Sequence, residues 1–103
     1  MSAWNLIGWI AAAAATYAVV RWAIIKLSKI INWFRDRSLL KQSDKKNLAF
    51  TLKEKTAQGD YVVYQGIYSQ STDTVIDGQK IISQQVDAEF ENLHSNQPLV
   101  IYE

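Results

Sequence analysis

The sequence predicts a membrane-anchored α+β protein: one long N-terminal helix, first transmembrane and then amphipathic, followed by a small β-β-β-α-β domain. Three observations lead to that expectation. Residues 1–20 contain no Lys, Arg, Asp or Glu. Residues 21–46 hold eight basic side chains against only Asp36 and Asp44. Residues 47–103 reverse the balance, with eight acids against Lys53, Lys55 and Lys80, and they alternate in hydropathy. The formal charge of +1 thus conceals three unlike blocks, uncharged, basic and acidic.

The first block, 1–22, reads as an anchor helix. Ala3 to Val20 has only Asn5, Thr16 and the Tyr17 hydroxyl as polar side-chain groups, and as a helix it would span about 27 Å, near the hydrocarbon thickness of a bilayer. Trp4 and Trp22 flank it where aromatic rings favour the membrane interface, and Arg21 can extend its charge outward. Ala11 to Ala15 raise helix propensity while contributing little transfer energy. Every nearby basic residue follows the span, so the expected orientation is an integral membrane protein with its N-terminus outside and its C-terminal domain cytoplasmic. Gly8, Ala12 and Thr16 recur at i, i+4 and i+8, a small-residue stripe on which a partner helix or a second copy would pack closely.

Residues 23–46 read as a basic amphipathic helical connector and linker. Ala23, Ile24, Leu27, Ile30, Ile31 and Phe34 fall on one side at helical spacing. Two placements follow. The stripe, with Trp33, dips into lipid while Lys26, Lys29, Arg35 and Arg37 meet anionic headgroups, or it packs on the C-terminal domain or a partner protein. The nearby span favours the lipid placement. Residues 41–47, KQSDKKN, break the helix.

Within 47–103, Leu48, Phe50 and Leu52 alternate with Thr51, Lys53 and Lys55, which predicts a half-buried strand. A turn around Gly59 returns the chain antiparallel as YVVYQGIYS, with Gly66 marking a bulge or bend. TVIDGQKII (74–82) predicts a third strand, Asp77-Gly78 being a kink or an extra turn. Ser83 is the expected cap of a helix over 84–94, where Val86, Phe90 and Leu93 recur at helical spacing, and LVIY is expected as a short apolar strand paired inside the sheet.

Chemistry is sparse. The absence of cysteine excludes disulfides and thiolate sites, and His94 as the single histidine excludes a multi-His metal centre within one chain. No nucleotide-binding, metalloprotease or nucleophile-elbow motif occurs, so no enzyme, cofactor or metal is expected. His94 reads as an end charge or surface residue, Asp73 and Asp77 as turn residues, and Asp87, Glu89 and Glu91 as a solvated helix face. Tyr61, Tyr64 and Tyr68 fit strand propensity better than a base-stacking platform, and the basic stretch borders a predicted span, so nucleic acid is not expected as a partner. The expected partners are membrane lipid and a membrane protein or a second copy. The function expected on this reading is that of an accessory or scaffolding protein whose helix packs with partner helices and whose acidic domain binds a cytoplasmic-side partner. The alternative is a membrane-active pore former or permeabilising protein.

Overall fold

The computed structural model describes residues 17–39, 46–55, 58–95 and 97–102. The elements in chain order are β1 (Ala18–Arg21), α1 (Leu27–Arg35), β2 (Asn47–Lys55), β3 (Tyr61–Ser69), β4 (Thr74–Ser83), α2 (Ala88–Leu93) and β5 (Leu99–Tyr102). They form a five-stranded sheet in the order β1-β4-β3-β2-β5, in which β1 lies parallel to β4 and every other pairing is antiparallel.

The long anchor helix is therefore corrected to a strand at its C-terminal end. Ala18 to Arg21 pair with Gln79 to Ile82, and the Trp22 amide donates to the Ile82 carbonyl at 3.0 Å. Val19 and Val20 are β-branched, and a short apolar run of this kind serves a strand as readily as a helix. Among the described residues no helix is long and apolar enough to cross a membrane. The single-pass transmembrane reading, and the placement with the N-terminus outside and the domain cytoplasmic, lose the element they depended on.

The amphipathic stripe holds from Leu27 to Phe34, where it packs on the sheet instead of lipid, but α1 begins only at Leu27, so Ala23 and Ile24 precede the helix expected to carry them. Ile30 is fully buried, Leu27 and Phe34 are half-buried, and they join Ile25, Val63, Ile81 and Phe90 in one core. Burying Ile30 and Phe90 contributes about 1.5–3 kcal/mol each. The pore-forming alternative drew on this connector together with the alanine-rich stretch Ala11 to Ala15, which lies outside the described residues.

The helices start side by side because β1 and β4 deliver them together. Beyond the strands, Ile25 forms an isolated parallel bridge with Val86. One residue later the Asp87 amide donates to the Ile25 carbonyl at 2.9 Å. Asp87 then caps both helices: its Oδ1 accepts from the Phe90 amide at 2.9 Å, and its Oδ2 accepts from the Leu27 amide at 3.2 Å. Position 26, the N-cap of α1, makes no side-chain cap of its own. Asp87, rather than Ser83, is thus the cap, and α2 starts at Ala88 instead of 84. A carboxylate serves well here because it accepts on two oxygens and carries the charge helix N-termini favour.

The opposite face of the sheet gathers Phe50, Leu52 and Tyr68, with Tyr17, Tyr64, Leu99 and Ile101 against them. Gly66 and Gly78 face each other across β3 and β4, and both lack a side chain for reasons of space. A Cβ on Gly66 would lie 2.8 Å from the Asp77 carbonyl oxygen and 3.1 Å from the Phe50 ring; one on Gly78 would lie 2.5 Å from the Tyr17 ring. The irregularity expected at Gly66 falls one step on, between Ile67 and Tyr68, and Asp77-Gly78 lies inside β4, not at a turn. The Tyr17 ring stands 5.2 Å from Tyr64, and its hydroxyl is buried with no hydrogen-bond partner among the described residues. Leaving such a hydroxyl unmet costs about 1–3 kcal/mol. Tyr17→Phe should raise the midpoint of chemical denaturation, a gain of about 1 kcal/mol; a loss of stability would show that the hydroxyl is satisfied in solution.

Candidate functional site

Two arrangements concentrate polar chemistry on the helical side of the sheet. The first is a chain of amides. Gln79 Nε2 donates to Gln65 Oε1 at 2.7 Å, and Gln65 Nε2 donates to the Ile30 carbonyl at 2.8 Å. Gln65 is completely buried, so these bonds fix α1 onto β3 and are structural.

The second joins α2, β2 and β5. Thr51 Oγ1 lies 2.7 Å from His94 Nε2 and 2.7 Å from the Tyr102 hydroxyl, while His94 Nδ1 lies 3.1 Å from the Gln97 carbonyl. The carbonyl can only accept, so Nδ1 carries the proton and Nε2 accepts from Thr51. Thr51 in turn accepts from Tyr102. Burial pushes the Tyr102 phenol up to about 12, which keeps it protonated and donating. His94 caps α2, lies tilted against the Phe90 ring with centroids 4.7 Å apart, and is only 5% exposed. Burial, as the largest influence, lowers its pKa, with smaller contributions of both signs from its neighbours. The expected surface or end-charge histidine is instead a neutral, buried one. The i, i+4 spacing from Phe90 was the sequence signal that it shares the buried face.

Thr51 beside His94 has the form of a hydroxyl–base pair, but Thr51 is entirely buried, so no substrate reaches its oxygen. Both ring nitrogens of His94 are occupied. The triad therefore ties α2 to β2 and to the end of β5, while the Gln97 carbonyl holds the chain just before β5 begins. Because the folded pKa lies below the unfolded value of about 6.5, the unfolded chain binds the proton more readily. Stability is full above that value and is lost as pH falls from it toward the folded pKa. Denaturation midpoints between pH 7 and 5 should show this decline, and His94→Gln should flatten it; an unchanged slope would mean that His94 titrates normally.

Beyond this lock lies a pocket of about 310 Å³ lined by Lys53, Glu54, Tyr61, Glu91, His94, Gln97 and Pro98. Lys53 Nζ lies 2.6 Å from Glu91 Oε1 and 5.3 Å from the centre of the Tyr61 ring. A second hollow, of about 450 Å³, runs beside β5 against Leu93, Gln97, Leu99, Val100 and Ile101. Gln97 belongs to both.

The residues singled out from the sequence are dispersed. Trp4, Gly8, Ala12 and Thr16 lie outside the described residues. Trp22 is half-buried against the helical core, with the Lys29 ammonium 5.4 Å from its ring centre. Trp33 holds the Arg37 guanidinium 3.7 Å from its ring, and Arg37 Nε donates to Asp77 Oδ2 at 2.7 Å, which fastens the end of α1 to β4. Arg21, Lys26, Lys29 and Arg35 are exposed. Of the described residues in this set, Trp22, Trp33 and Arg37 make tertiary contacts, and Arg21, Lys26, Lys29 and Arg35 reach solvent. Among the described residues no group of three or more His, Cys, Asp or Glu side chains could hold a metal ion.

Neither a family model, nor a curated protein, nor a solved structure matches this chain. The functional reading therefore depends on the geometry alone.

Proposed function

We propose that the protein is a non-catalytic accessory or scaffolding component, and that it binds a partner protein by taking an extended segment of it along β5. One observation carries this reading. β5 ends the strand order, no strand pairs with its outer edge among the described residues, and the hollow beside it is lined mainly by apolar side chains. An open edge offers backbone donors and acceptors for an added strand, while the hollow accommodates alternate side chains. The other edge, β1, is less suited: Val19 stands 62% exposed, and the hollow near its end is lined by Arg21, Trp22, Asp60, Ser83 and Gln84 among others. The locked His94 triad supports the non-catalytic part of the reading, since its groups are engaged in holding β5 in place.

The test is site-specific photo-crosslinking in the cells of origin. A photoreactive residue at Leu99 should yield an adduct that maps to a single extended, apolar segment of a partner. The same residue at Ser28, exposed on α1, should not. Adducts at Ser28 with none at Leu99 would contradict the reading.

A further inference from the structure

We propose that residues 1–16 of this same chain lie across the sheet face opposite the helices and cover it. The inference goes beyond docking along β5 and does not depend on it. Alternation puts Phe50, Leu52, Val62, Tyr64 and Tyr68 on that face, since Thr51, Val63 and Gln65 between them meet the helical side. A sheet face without a layer over it leaves its side chains partly in water. These side chains keep almost none of that exposure: Phe50 is fully buried, and Leu52, Val62 and Tyr68 are 7%, 6% and 2% exposed. Yet α1 and α2 both pack on the other face, through Ile30, Phe34 and Phe90. Among the described residues, then, no helix supplies the missing layer.

The chain itself leads to this face. Tyr17, the first described residue, packs against the cluster of Phe50, Leu52 and Tyr68, with its ring 5.2 Å from that of Tyr64. The sixteen residues before it are therefore attached where the cover is needed. Their composition fits: they carry no charge and offer Trp4, Leu6, Ile7, Trp9 and Ile10. The other stretches outside the described residues do not fit, since 56–57 is too short and 40–45 carries Lys41, Asp44 and Lys45. Length is sufficient as well. Five strands at the usual spacing are about 19 Å across, and sixteen residues reach about 24 Å even when coiled as a helix. Attachment at Tyr17 makes the contact intramolecular, which favours this occupant over a second copy. The segment thus closes an apolar surface that would otherwise recruit a partner.

The full chain has no cysteine, so one nitroxide label can be placed at will. It is attached at Ala12→Cys and, in a second variant that keeps the test open if the first fails to fold, at Asn5→Cys. Methyl signals of Leu52 and Val62 should lose more intensity than those of Ile30 and Ile81, which lie in the core under the helices. The loss should persist when the labelled, isotope-enriched chain is diluted into an excess of plain chain. A loss that disappears on dilution would give the face to a second copy and overturn the proposal. Equal loss in both cores, or none in either, would leave the face to lipid or to another protein and overturn it as well.

Discussion

Replacing Asp87 with Ala should destabilise the protein by about 2–3 kcal/mol, since two helix caps are lost at once. The carboxylate accepts from Phe90 in its own helix and from Leu27 in the other. A single cap is worth about 0.5–2 kcal/mol, and an N–H left unmet near the core adds to the loss. Two further variants separate the contributions. Asp87→Ser retains a cap for α2 but is too short to reach Leu27. Asp87→Asn retains one accepting oxygen, so it keeps only one of the two bonds. Both should fall between Ala and the natural residue in urea denaturation. If Ser matches Asp, the bond between the helices contributes nothing, and α1 is held by its apolar stripe alone.

Gly66→Val should cost more still, above about 3 kcal/mol, because overpacking here meets backbone on one side and a buried ring on the other. The first added carbon already lies 2.8 Å from the Asp77 carbonyl oxygen and 3.1 Å from Phe50. Phe50 is fully buried and cannot swing aside without opening the apolar face. The carbonyl belongs to β4, whose pairing fixes it. Gly66→Ala should give a smaller loss of the same sign. A stable Gly66→Val variant would place β3 and β4 in a different register. Gly59, where φ is +88°, offers a contrast: its space is open, and its substitution penalty comes from backbone conformation.

The three central strands were legible because a half-buried strand writes its burial into every second residue. Leu48, Phe50 and Leu52 face one side, while Thr51 and Lys53 face the helices, as the alternation implied. The helix at Phe90 was legible for the corresponding reason at period 3.6. What failed was the apolar N-terminal stretch. An uncharged run has no second face to reveal its period, so Tyr17 to Val20 suits a buried strand as well as the helix expected of it. Length and the basic flank then favoured the membrane. The β-branched pair Val19 and Val20 was the only local sign to the contrary. The stripe from Leu27 to Phe34 was read correctly as a helix face, but no sequence pattern states what such a face meets. That depends on β1 delivering α1 to the sheet beside α2. The same holds for the candidate site: Lys53, Glu91 and Gln97 come together only through the pairing of β2 with β5. His94 and Thr51, 43 residues apart, join through it as well.

The central claim is that residues 18–35 belong to the sheet domain as a strand followed by a helix. The direct measurement is the NMR assignment of the full chain. Carbon shifts should be extended at Ala18 to Arg21 and helical only from Leu27 to Arg35, with cross-peaks joining Val20 to Ile81 and Ile30 to Gln65. Unbroken helical shifts from Ala18 through Arg35, without contacts to β3 or β4, would contradict it.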